Sequence, residues 1–185
     1  MMRVIAGTAR NLKLETPEGL DTRPTTDRIK ETLFNILQSD VPGSVVIDFF
    51  SGSGALGIEA LSRGAKKAYL VDNGKKAAEC IVRNIKHTHF EDKAEFLKED
   101  FLSSVYHINE AHIDIVFMDP PYASDFVRPL LLALKDKSYI GEDTLIVVES
   151  ALNTSFDYVE DMGYTIFREK KYKTNKHVFL YPKKA

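Results

Sequence analysis

The chain has 185 residues, which suits one domain of ordinary size. With 44% hydrophobic and 28% charged residues it has the composition of a soluble globular protein, and its lone Cys80 excludes an internal disulfide or a thiolate zinc centre. The formal net charge of −2 excludes a polycation, so an anionic partner would have to be met by local clusters. One such cluster lies at the C-terminal end, where Arg168, Lys170, Lys171, Lys173, Lys176, Lys183 and Lys184 stand against the single acid Glu169. A milder one holds Arg3, Arg10, Lys13, Arg23, Arg28 and Lys30. These clusters fit nucleic acid, or else plain solvated surface. The apolar runs 130–134 and 145–148 are too short for a membrane span or a signal-peptide core, and with the single cysteine they lead to an expected cytoplasmic location and no membrane partner.

Residues 3–15 alternate in polarity and break at Gly7 to Asn11, which predicts a small β-hairpin. A Pro/Gly loop follows, and Thr25 or Thr26 is placed to cap a helix that carries Ile29, Leu33, Ile36 and Leu37 on one face and stops before Pro42 and Gly43. Strands and helices then alternate: strand 45–50, helix 55–63, strand 67–71, helix 75–87, strand 94–97, strand 113–118, helix 126–134 and strand 144–148. Segments 164–172 and 176–181 read as two strands around a turn at Thr174-Asn175. Alternation of this kind predicts an α/β protein with a mostly parallel sheet covered on both faces, and the terminal hairpin adds antiparallel strands.

The first strand of that series ends in Asp48-Phe49-Phe50-Ser51-Gly52-Ser53-Gly54-Ala55-Leu56-Gly57. A strand runs into a glycine loop, and the loop opens a helix. Gly52 and Gly54 allow positive φ and close approach of a ligand to the backbone. The second strand ends at Asp72-Asn73, where a carboxylate can accept from both hydroxyls of a ribose. Gly52, Gly54 and Gly57 satisfy a dinucleotide fingerprint as well, so NAD and S-adenosylmethionine both stay open, beside a plain tight turn. Two features favour S-adenosylmethionine. Asp48 would welcome a sulfonium or ammonium group and would repel a pyrophosphate. Asp100 at the end of the third strand can accept from an adenine amino group while Phe101 packs on the ring, although both also suit an ordinary loop.

The fourth strand runs into Asp119-Pro120-Pro121-Tyr122. Two prolines remove two backbone donors and fix φ, which leaves stiff, outward-pointing carbonyls. The exocyclic amine of a base is a poor nucleophile because its lone pair is delocalised into the ring. Hydrogen bonds from the amine to Asp119 and the Pro120 carbonyl would localise that pair for an in-line displacement. Tyr122 offers a face on which an extruded base can stack. Asp-Pro is also a common rigid turn.

These residues resemble the RsmD-type methyltransferases, which methylate N2 of a guanine in bacterial 16S ribosomal RNA. The resemblance spans nearly the whole chain: Arg3-Val4-Ile5-Ala6-Gly7, Arg23-Pro24-Thr25-Thr26-Asp27-Arg28, Glu31-Thr32-Leu33-Phe34-Asn35, the stretch from Asp48 to Gly64, Asp119 to Tyr122, and Val147-Val148-Glu149-Ser150. The glycine loop and the Asp-Pro-Pro-Tyr segment are shared with many amino-methyltransferases, whereas Arg-Pro-Thr-Thr-Asp-Arg is more specific. Asp72 stands where relatives often carry Glu, and Tyr122 where some carry Phe; either residue serves. The resemblance implies a class I, Rossmann-like S-adenosylmethionine-dependent fold with a seven-stranded sheet. It further implies a hairpin extension (1–22) that contacts RNA, a methyltransferase domain (23–185), and Arg23 and Thr25 near the cofactor or target base. The expected partner is 16S ribosomal RNA, met in a small-subunit particle. The protein is expected to act as a monomer without a metal.

Three rivals remain at this stage. A DNA or RNA adenine-N6 methyltransferase would use the same tetrapeptide, a NAD-dependent oxidoreductase the same glycine loop, and a non-catalytic RNA-binding module the same basic ends. His87 and His89, two apart, do not form a metal pair on a helix. His107, His112 and His177 show no partner by spacing, Cys80 reads as an inert helix residue, and no G-x-S-x-G elbow is present.

Overall fold

The computed structural model describes residues 2–17 and 27–183. Arg23, Thr25, the proposed helix cap, the boundary at residue 22 and Lys184 lie outside the described residues. In chain order the elements are β1 (Met2–Arg3), β2 (Lys13–Leu14), α1 (Asp27–Ile36), β3 (Val45–Asp48), α2 (Ala55–Ser62), β4 (Lys67–Val71), α3 (Lys75–His87), β5 (Ala94–Leu97), α4 (Phe101–Ser104), β6 (Ile115–Met118), α5 (Val127–Lys135), β7 (Leu145–Ala151), a 3-10 turn at Asp157–Val159, β8 (Tyr164–Lys171) and β9 (Asn175–Pro182).

Seven strands form one sheet in the order β5-β4-β3-β6-β7-β9-β8, and β1 and β2 pair as a separate two-stranded sheet. The first five of the seven are parallel, and β9 runs antiparallel to both β7 and β8. Strand β3, Val-Val-Ile-Asp, is buried at every position because helices cover both faces of the sheet. On one face Ile47, Val116 and Ile146 pack against Leu130, Leu131 and Leu134 of α5. On the other, Val46, Phe117 and Val147 meet Leu33 and Phe34 of α1, Ile58 of α2, and Val4 and Leu14 of the N-terminal hairpin.

The β1–β2 hairpin is pinned to the main body. Gly7 has φ +85, and a Cβ there would lie 1.7 Å from the Ser62 carbonyl oxygen, so only glycine fits. Buried Glu59 accepts from the Ile5 and Ala6 amides at 2.8 and 3.1 Å and pairs with Arg63 at 2.8 Å and Lys30 at 3.3 Å. Lys30 also donates to the Arg3 carbonyl.

Most predicted elements stand within a few residues of their expected bounds, and each departure below has a cause in the hydrogen bonding. Strand β3 stops at Asp48, because Ser51 then turns the chain by donating from its hydroxyl to the Asp48 carbonyl at 2.8 Å. Strand β7 runs on to Ala151, because β9 pairs with it as far as Ala151 opposite Asn175. Helix α4 was not foreseen; Asp100 caps it by accepting from the Leu102 amide at 2.8 Å.

Candidate active site

The glycine loop leaves the carboxyl end of β3, where open parallel sheets bind ligands. The loop is rigidly tied. The Ser51 amide donates to the Val71 carbonyl at 3.0 Å, and the Val71 amide returns a bond to the Ser51 hydroxyl at 3.0 Å. Asp72 accepts from the Gly52 amide at 2.9 Å and from the Gly74 amide at 2.8 Å, one bond per carboxylate oxygen. Its first duty is therefore to hold the loop, with lone pairs left on both oxygens. Gly52 and Gly54 adopt φ +56 and +81, and beyond the two adjacent residues no atom lies within 4 Å of where a Cβ on Gly52 would stand, so the backbone opens onto free space there.

Three aromatic rings gather beside the loop. Phe50 and Phe101 lie 5.0 Å apart, Phe101 and Phe126 4.9 Å, and Phe50 stacks on Phe126 at 6.1 Å. Phe126, at the start of α5, carries no spacing signal, and sequence reasoning missed it. Asp100 is exposed, with its Oδ1 engaged in capping α4; Asn73 is exposed beside Asp72.

Two carboxylates at the strand ends have unusual proton affinities. Asp48 is 1% exposed, and burial, aided by the nearby Asp72 charge, pushes it up to about 7. Asp119, at the end of β6, is pushed well above the carboxylate range by burial and by the charges of Glu149 and Asp48. Strands β3 and β6 are parallel neighbours with Asp48 opposite Phe117, so the loop after β3 and the tetrapeptide that begins at Asp119 leave the same end of the sheet side by side.

Glu149 of β7 organises the other side of the tetrapeptide. The Tyr122 hydroxyl donates to its Oε1 at 3.0 Å, the Asn175 amide donates to the same oxygen at 2.8 Å, and His177 Nε2 lies 3.2 Å from Oε2. Burial would push Glu149 up, but the His177 contact and the donors Tyr122 and Asn175 outweigh it and hold the group below its ordinary range. Tyr172 is 3.0 Å from His177 Nδ1 and completes the chain of contacts. His177, without a partner by spacing, thus acquires two through the sheet register. A signal for Glu149 did exist: a carboxylate at the end of an otherwise apolar strand. A cavity of about 140 Å³ opens next to Tyr122, lined by Pro120, Pro121, Tyr122, Glu149, Phe156 and Tyr158 among others. On the opposite face of the sheet a narrow cleft between Leu33, Leu56 and His177 also reaches Asp119. Among the described residues, no cluster of three or more His, Cys, Asp or Glu could hold a metal, and no helix is long and apolar enough to cross a membrane.

Residues 2–181 match the protein family described as Conserved hypothetical protein 95. The chain is 34% identical to Ribosomal RNA small subunit methyltransferase D of Escherichia coli K12, over 91% of this chain and 84% of that protein. It belongs to the RsmD family. The family member of the same name from Haemophilus influenzae is 35% identical over 91% of this chain and 88% of its own. The solved structure of the Escherichia coli protein yhhF superposes with a TM-score of 0.83 at 31% identity and covers 100% of this chain and 99% of its own. The RsmD assignment makes the chain a methyltransferase with the seven-stranded α/β fold of that class.

Proposed function

We propose that the chain transfers the methyl group of S-adenosylmethionine to the exocyclic N2 amine of a guanine in 16S ribosomal RNA, presented in a small-subunit particle in the cytoplasm. The observation that carries the reading is that Asp48 ends β3 and Asp119 follows β6 at the same end of two paired parallel strands, which sets a carboxylate suited to a cationic cofactor beside one suited to an amine. The choice of guanine, and of its N2, rests on the family resemblance.

The site's chemistry fits S-adenosylmethionine. A buried carboxylate with raised proton affinity is the group that gains most from a neighbouring cation. The open backbone at Gly52 leaves room for close approach, and Phe50, Phe101 and Phe126 offer apolar faces to an adenine ring. Asp72, Asn73 and Asp100 complete the cofactor set, with Arg23 and Thr25 assigned by resemblance alone. Bound there, the cofactor supplies an electrophilic methyl group on a sulfonium. Asp119 and the Pro120 carbonyl accept the two N–H bonds of the target amine and orient its lone pair. Pro121 stiffens the segment, and Tyr122, held by Glu149, backs the base. As the N–CH3 bond forms and the S–CH3 bond breaks, the nitrogen sheds one proton. Asp119, with its high proton affinity, takes it and passes it to water.

The deciding experiment is methyl transfer from labelled S-adenosylmethionine to small subunits isolated from cells lacking this protein, followed by nucleoside analysis. N2-methylguanosine at one site is the expected product. N6-methyladenosine would keep the mechanism and move the chain to the rival base, and absence of label would overturn the substrate.

A further inference from the structure

The molecule carries a formal charge of −2, yet four cations, Arg168, Lys170, Lys171 and Lys173, stand on one edge strand and its turn against the single acid Glu169. Glu169 is already answered by Lys176 at 3.2 Å. The sheet register sorts these side chains by face. Arg168 is opposite Phe179 and Lys170 opposite His177, so both point to the face on which α1 and the N-terminal hairpin pack; Glu169 and Lys171 point to the other. The register of β8 on β9 shifts between Ile166 and Arg168, and Phe167, at the shift, faces outward. Phe167 is 67% exposed, and its ring sits edge-on to Tyr181 at 5.5 Å. Cations on an edge strand are a common guard against unwanted strand pairing, but a large exposed aromatic at the same edge defeats that purpose.

The strip also leads somewhere. Lys170 is in register with His177, and His177 with Glu149, the residue that holds the Tyr122 hydroxyl. Two strand spacings, about 10 Å, separate the Glu149 backbone from the edge. An aromatic face flanked by cations, on a path that ends beside the tetrapeptide, matches the way proteins grip single-stranded nucleic acid: bases stack while phosphates track the charges.

We infer that the β8 edge, with Phe167, Arg168 and Lys170, is a docking strip for the single-stranded RNA that flanks the target nucleotide. The inference rests on the RNA substrate proposed above, and its test is separable from it. Binding of a short mixed-sequence single-stranded RNA, and of 16S ribosomal RNA, is measured across a salt series for the parent and two variants. Phe167→Ala should weaken binding roughly 5- to 150-fold with the salt slope unchanged, as for loss of one stacked base. Arg168→Ala with Lys170→Ala should lower the slope of log affinity against log salt by about 1.4, as for two lost phosphates. Both variants should keep the parent's melting temperature and its affinity for S-adenosylhomocysteine. If both variants bind RNA as the parent does, or the parent binds neither RNA, the strip is wrong. If the parent methylates no subunit while the variants still lose RNA binding, the strip stands and the proposed reaction falls.

Discussion

The raised proton affinity of Asp48 has two measurable consequences, of opposite sign for binding and for folding. A cationic ligand needs the carboxylate charged, and with the group at about 7 that form dominates only above neutrality. The affinity for S-adenosylhomocysteine, which keeps the ammonium group, should therefore rise with pH through about 7 and level off beyond it, and Asp48→Asn should flatten the curve in calorimetry. For folding, a carboxylate whose folded value lies above its unfolded value binds more protons when folded, so stability is lost as pH climbs from about 4 to about 7. Asp48→Asn should accordingly melt higher than the parent at pH 8, by at most ~4 kcal/mol of stability, with little advantage near pH 4. Asp119 and Glu149 make a second pair of tests. Asp119→Asn should cut methyl transfer at least about a hundredfold, the scale of losing one aligned polar group, while S-adenosylhomocysteine still binds. Glu149→Gln removes a negative charge that raises Asp119, so the acid limb of the kcat profile should move to lower pH even as kcat falls through the loosened Tyr122. A Glu149 with a purely structural role would lower kcat without moving that limb.

Among the elements, the N-terminal hairpin shows how a short segment is held without a core of its own. Two strands of two residues each cannot stand alone in water. The hairpin is fixed by the Ser62 contact at Gly7 and by the buried group of Glu59, Lys30 and Arg63. Removing one partner of a buried ion pair leaves an unpaired charge, so Glu59→Ala should cost about 3–5 kcal/mol, read by denaturant titration. The alternation of residues 3–15 was enough to predict the hairpin, and so was the alternation of strands and helices from Val45 onward. Element ends were less legible. The extent of β7 depends on β9, which begins only after the intervening residues 152–174, and no local pattern reports such pairing.

At the scale of the whole molecule, ligand binding should report the class of cofactor. A ligand at a hundred times its Kd adds about 2.7 kcal/mol to stability, which for a chain of this size is a rise of roughly 5–10 °C in Tm. S-adenosylhomocysteine should produce that rise and NAD none; the reverse would restore the oxidoreductase reading. The sequence by itself determined the α/β class, the glycine loop with Asp48 and Asp72, and the Asp-Pro-Pro-Tyr segment, because each is a pattern among near neighbours in the chain and obeys local rules of backbone and polarity. Only the tertiary structure decided that Asp72 spends two bonds on the loop amides, that Phe126 closes the aromatic group, and that Glu149 and His177 lock Tyr122. Those contacts join β4 to the loop after β3 and β6 to β7 and β9. Strand order and register set them, and both emerge only when distant segments compete to bury the same apolar surface.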